Sequence, residues 1–201
     1  MQNNIFFLLM CCFLVLSPPS FAVTNDNKTL TPATPDESAE FAIGLCLGGL
    51  NDLDRVRMLA KHAEWKLLTK EQLYLFGVSS ELLVDGWRAI DNNHVFLIIV
   101  NVGEVALRNN KFVDSAKSNV CTIIDAYSDR GDIVSSLKKH LLIKQIYYDP
   151  GKTLPLEKVE VFKINNGYFG QEPYLMVISH KDLKPPIILT FMAEKVKNNH
   201  K

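Results

Sequence analysis

The sequence predicts an α+β domain, with N-terminal helices packed on a mainly antiparallel sheet and one further helix between the strands. Three observations predict it. Apolar residues recur at helical spacing from Thr34 to about Ala63. The runs HVFLIIVNV and SNVCTIIDAY are dense in β-branched residues and apolar on both alternating sets, as in strands buried on two faces. After one amphipathic helix, three more strand-like segments are separated by short turn-forming stretches, which favour antiparallel connection.

The domain is expected to be preceded by a cleaved export signal, with a retained anchor or a buried helix as the alternatives. Ile5 to Leu16 is an unbroken apolar run followed by SPPSFA, and Ser20 and Ala22 place small residues three and one before a cleavage point. Residues 1–22 are therefore expected to be removed, with cleavage near Ala22. The run is shorter than the about 20 residues a spanning helix needs. MQNN carries no Lys or Arg, so only the amino terminus charges its start. Met10 disfavours a lipoprotein reading of Cys11. Residues 23–33 are polar and read as a flexible leader, in which Asn27-Lys28-Thr29 is a glycosylation sequon relevant only in a eukaryotic host.

The remaining elements follow in order. Thr34-Pro35-Asp36-Glu37 combines a capping Thr, a Pro at the first helical position and a Glu three residues after the cap. Ala39, Ala42, Ile43 and Cys46 continue a helix from Pro35 to Leu47, and Gly48-Gly49 is expected to stop it in the left-handed region. Asn51 or Asp52 caps a second helix to about Ala63, with Leu53, Val56, Leu59 and Ala63 inward and Asp54, Arg55, Arg57 and Lys61 outward. A short third helix spans about Lys70 to Phe76, flanked by Trp65 and Trp87, which are expected to pack between helices and sheet.

Strands begin after DGWRAIDNN, and GEVALRNNKFVDSAK is either a short extra strand or a surface excursion. SDRGDIVSSLKKHLLIKQI forms a helix with Ile133, Val134, Leu137, Leu141 and Leu142 on one side. KVEVFKI, PYLMVISH and PIILTFMAEK complete a single domain over 34–196, and residues 197–201 form a frayed tail.

All 22 Lys and Arg and all 22 Asp and Glu lie after Ala22, so the mature chain is neutral. Neutrality disfavours nucleic acid, whose binders are usually basic. No later segment is apolar for long enough to span a bilayer as a helix. Two cysteines remain, Cys46 and Cys121, and an even pair in an exported protein reads first as one disulfide.

Gly44-Leu45-Cys46-Leu47-Gly48 also has the spacing of a nucleophile elbow. An elbow needs a strand before the nucleophile, whereas DESAEFAIG reads as helix. A thiolate is favoured at a helix N-terminus and Cys46 lies at a C-terminal end, so the disulfide reading is preferred. The candidate bases His62, His94, His140 and His180 lack companion motifs, and His94 and His140 read as surface positions. His180 and Asp182 would share a strand face if the strand continued through HKDLKPP, which reads as a solvated turn. No His, Cys or acidic spacing matches a zinc site, no glycine-rich phosphate loop is present, and no cofactor is indicated. The basic stretch Leu137 to Lys144 reads as a solvated helix face in preference to a membrane contact. Tyr147 and Tyr148, beside Pro150-Gly151, are the candidate partner contact.

The helical cysteine in FAIGLCLGG, the DLDRVRMLAKHAEW helix, the Trp before the first strand and the strand cysteine in NVCTIIDA together resemble small, uncharacterised exported bacterial proteins. The resemblance covers most of the mature chain. It implies an envelope location and a disulfide, with no catalytic residues to carry over. The expected function is that of an exported, periplasmic, non-enzymatic interaction protein of inhibitor, immunity or envelope-assembly type, with a protein or envelope partner. The alternative is a small cysteine hydrolase using Cys46 with His180 or His62. Nothing in the sequence sets an oligomeric state.

Overall fold

Residues 30–75, 84–108, 111–125, 133–149, 157–165, 173–180 and 186–194 are described in a computed structural model of the protein. The expected signal segment, most of the leader with Asn27, Phe76, Asp182 and the tail 197–201 lie outside the described residues. The elements run α1 (Pro35–Ala42), a π-helical turn (Ile43–Leu47), α2 (Leu53–His62), β1 (Lys66–Leu67), α3 (Lys70–Leu75), β2 (Val84–Asp91), β3 (His94–Arg108), β4 (Lys111–Asp125), α4 (Ile133–His140), β5 (Ile143–Asp149), β6 (Glu157–Ile164), β7 (Tyr174–His180) and β8 (Ile187–Glu194).

The α+β class stands, with the sheet dominant. Eight strands form one sheet in the order β1-β2-β3-β4-β8-β7-β6-β5, and the neighbours pair antiparallel throughout. Two meanders, β1 to β4 and β5 to β8, are therefore joined where β4 meets β8. The chain leaves β4 at the middle of the sheet, forms α4, enters at the far edge as β5 and returns inward to close against β4.

The alternation of β3 sets the two faces. Phe96, Ile98 and Val100 join one buried cluster with Cys46, Leu50 and Val56 from the N-terminal helical region and Leu137 from α4. Leu97 and Ile99 join Ile124 in a separate cluster with Leu68 and Leu73. Leu73 of α3 is thus grouped with the strand residues that alternate away from α1 and α2, so the helices do not all share one face. Gly86 permits this, because a Cβ there would lie 2.5 Å from Leu73 Cδ2.

Several sequence expectations are corrected. VDGWRAID is strand β2, and Asn92 and Asn93, with φ of 46° and 69°, turn it directly into β3. Two consecutive left-handed residues fit a tight hairpin, and Asn tolerates that region better than most side chains. GEVALRNNKFVDSAK extends β3 and β4 into a long hairpin, with Arg108 opposite Lys111. Helix α4 ends at His140, and IKQIYYD is strand β5, so Leu142 is exposed while Leu141 is buried. In α2 the inward set is Leu53, Val56 and Ala60, whereas Leu59 and Ala63 are exposed.

Residues 30–33, assigned to the leader from the sequence, make contact with the domain. Thr31 N–H donates to Asn93 O at 3.1 Å, and Ala33 is buried.

Candidate functional site: a stapled helix turn and an aromatic sheet edge

Helix α1 opens with the expected capping box. Thr34 Oγ1 accepts from Glu37 N–H at 3.3 Å, while Glu37 Oε2 accepts from Thr34 N–H at 2.8 Å. The hydrogen bonds from the Thr34 backbone and hydroxyl hold the Glu37 carboxyl below its ordinary range, with His94 adding in the same direction. Asp36 is likewise lowered, first by its hydrogen bond from Lys139 and then by Ser136. Lys139 Nζ lies 2.7 Å from Asp36 Oδ2 and ties α4 to the start of α1, so part of the basic stretch Leu137 to Lys144 is engaged within the fold.

The helix then widens. Across Ile43–Leu47 the backbone is π-helical, and Leu45, Cys46 and Leu47 are buried in succession. The helical stretch ends at Leu47 as expected, with Gly48 as its C-cap, but Gly48 has φ −66° and neither it nor Gly49 is left-handed, which corrects the conformation expected of them. Gly49 serves close packing instead, since a Cβ there would come 2.4 Å from Val56 Cγ2.

Cys46 is joined to Cys121 by a disulfide whose Cα atoms are 5.4 Å apart, within the ordinary range. Both cysteines are fully buried. Cys121 sits in mid-strand, opposite Val100 on β3 and Phe191 on β8, so the bridge ties the π turn to the centre of the sheet. Asn119 reinforces it by donating from Nδ2 to Leu50 O at 2.7 Å. Ser38 donates to the buried Asp125 at the other end of the same interface. Among the described residues, no group of three His, Cys, Asp or Glu comes together, and no helix is long and apolar enough to cross a membrane.

Beside the staple lies an open groove of about 290 Å³, lined by Glu40, Phe41, Gly44, Leu45, Leu59, Ala63 and Trp65. Its far wall is made by a helix ending the sequence does not announce. Glu64 takes φ 53°, its N–H donates to Lys61 O at 3.3 Å, and Trp65 N–H donates to Ala60 O at 2.9 Å. These two bonds form a Schellman ending with Glu where Gly is usual, and they turn Trp65 back beside Phe41, with ring centroids 6.3 Å apart. Phe41 in turn stacks on Phe96 at 4.2 Å. Trp87 is buried in the main core, as expected, while Trp65 is only half-buried.

Tyr147 and Tyr148 stand at the opposite end of the sheet, on edge strand β5. They are 40% and 53% exposed, and Lys158 Nζ lies 5.7 Å from the Tyr148 ring centre. The β5–β6 pairing shifts register between Gln145 and Tyr147, which places a bulge at Ile146 beside the pair. The groove and the tyrosine pair therefore do not form one surface.

The histidines are dispersed. His62 is exposed, His140 Nε2 lies 3.8 Å from Glu40 Oε1, and His180 ends β7 opposite Glu157. His94 is buried, which corrects its reading as a surface residue. The leader and α1 cover it, an arrangement that the local pattern around DNNHVF does not signal.

No protein-family model, curated protein or solved structure matches the chain.

Proposed function

We propose that the protein is exported, periplasmic or secreted, and works without catalysis by binding a protein or envelope partner. The observation that carries this reading is the edge strand β5, which presents Tyr147 and Tyr148 beside a bulge in a scaffold stapled by Cys46–Cys121. Rigid, amphipathic tyrosines bring large contact area at low entropic cost, and an edge strand has backbone groups available for pairing with an extended partner segment. A buried staple between helix turn and sheet centre suits a domain that must hold this surface outside the cytosol. The apolar groove at Phe41, Leu45 and Trp65 supplies a second contact.

The test is capture from an envelope fraction by the mature protein, a Tyr147→Ser/Tyr148→Ser variant and a Cys46→Ser/Cys121→Ser variant. A partner held by the first and lost by the tyrosine variant, with its melting unchanged, supports the reading. Equal capture by all three rejects β5 as the contact. Export is tested separately by sequencing the amino terminus of the mature protein, expected at Val23.

The hydrolase alternative requires a free Cys46 thiol, and in this fold that sulfur is bonded to Cys121. Counting thiols in denaturant without reductant separates the two readings. Zero free thiols removes the hydrolase, and two free thiols, Cys46 and Cys121 both unbridged, restore it.

A further inference from the structure

His94 is held by two acceptors from different parts of the chain. Its Nδ1 lies 2.9 Å from Thr31 O, and its Nε2 lies 3.4 Å from Glu37 Oε1. A carbonyl oxygen has no proton to give, so the shorter contact is a hydrogen bond only when Nδ1 carries a hydrogen. In the neutral ring, Nε2 is then a lone pair facing a carboxylate. Only the imidazolium, which donates from both nitrogens, satisfies both contacts at once.

The hydroxyl of Thr31, 3.3 Å from Nδ1, offers the neutral ring a weaker alternative that gives up the bond to Thr31 O. Glu37 is suited to the charged form, because Thr34 occupies its Oε2 and leaves Oε1 directed at His94. On the paired strands the ionisable groups nearest His94 in register are acidic, whereas Arg88 of β2 is paired with Leu97 on the alternate face and Lys117 lies at the far end of the described pairing of β4. Asp91 on β2 is the register partner of His94, and Asp125 on β4 is opposite Phe96, two residues along the same face.

We propose that His94 is a proton-operated latch, whose imidazolium fastens residues 30–33 and the cap of α1 onto strand β3. Deprotonation gives up one of the two bonds, which loosens the segment linking the leader to the domain and leaves the sheet intact. The latch closes as pH falls and opens as it rises, within the interval of about pH 5 to 8 in which imidazole changes charge.

Hydrogen exchange of the full mature protein tests this at about pH 5.5 and 8, with rates corrected for intrinsic exchange. The reporter is the Thr31 amide, which is bonded to Asn93 O. Its protection is expected to be about fivefold greater at the lower pH, the scale of a partly exposed charged hydrogen bond. His94→Gln should abolish the difference. Glu37→Gln should reduce it while keeping a capping box and an ordinary melt, so the proposal is decided even if His94→Gln folds poorly. His140→Gln, which removes the contact to Glu40, should leave the pH dependence in place. Equal wild-type protection at both pH values, or a pH dependence that survives both His94→Gln and Glu37→Gln, overturns the latch.

Discussion

At the scale of single residues, the two adjacent glycines make opposite predictions. Gly49 is buried with Val56 Cγ2 where its Cβ would stand, and the stiff, buried Val56 has little room to yield. Gly49→Ala should cost about 1–3 kcal/mol in urea unfolding, the range of an overpacked core. Gly48 is exposed, has helical backbone and has nothing within 4 Å of where a Cβ would stand, so Gly48→Ala should be neutral or gain up to about 1 kcal/mol. A left-handed helix stop would give the reverse at Gly48, a loss from the alanine. Glu37 makes a pH prediction. Its carboxyl is lower in the folded state than the ordinary value of 4.5, so it stabilises above that value, and the contribution disappears as pH falls through the folded value. Asp36 acts in the same direction. Melting temperature should fall on acidification from about pH 5 towards 2, and Glu37→Gln should flatten part of that fall.

At the scale of elements, the informative cases are those the sequence pattern missed. The helical stripe predicted α1 and its cap because the signals are local: Thr34, Pro35 and Glu37 act within one turn. Strand β3 was legible because both of its faces are buried, which leaves a continuous apolar run. Strand β5 was not, because an edge strand with exposed Lys144, Gln145, Tyr147 and Tyr148 carries no comparable run and follows directly on an amphipathic helix. Strand β2 was hidden by Asp85 and Gly86, poor strand formers kept by tertiary contacts. Asp85 accepts from Arg57 Nε at 2.6 Å, and Gly86 admits Leu73. The end of α2 near Ala63 was legible, but the form of its turn was not, because Glu64 does what glycine usually does. A non-glycine residue held in the left-handed region costs of order 1 kcal/mol, so Glu64→Gly should raise stability by about that amount. A loss of stability on that change would mean that the Glu64 side chain contributes more than its backbone strain costs.

At the scale of the whole molecule, the cysteine pairing was legible from counting, but its position was not. Loop length depends only on the sequence separation of 75 residues, whereas the consequence of the bridge depends on where Cys121 lies in the sheet. It lies on β4, the strand through which the two meanders are joined, and the π turn bonded to it carries Leu45 in the groove wall. The bridge therefore restrains the unfolded chain and also fixes the helical layer against the strand on which the sheet closes. The chain-entropy effect alone is roughly 4.5 kcal/mol for this length, a large part of the about 5–15 kcal/mol available to a domain. With a urea slope of about 2 kcal/mol/M, Cys46→Ser/Cys121→Ser should lower the unfolding midpoint by about 2 M. Both sulfurs are fully buried, so reductant should act slowly on the folded protein and quickly once denaturant opens it. If the bridge also fixes the helical layer, the double variant should lose groove order more than sheet order. Trp65 fluorescence should then shift towards that of a solvent-exposed indole at urea concentrations where far-ultraviolet dichroism of the sheet is still native. Coincident transitions by the two probes would show instead that Asn119, Ser38 and the Phe41–Phe96 stack hold the layer without the bridge.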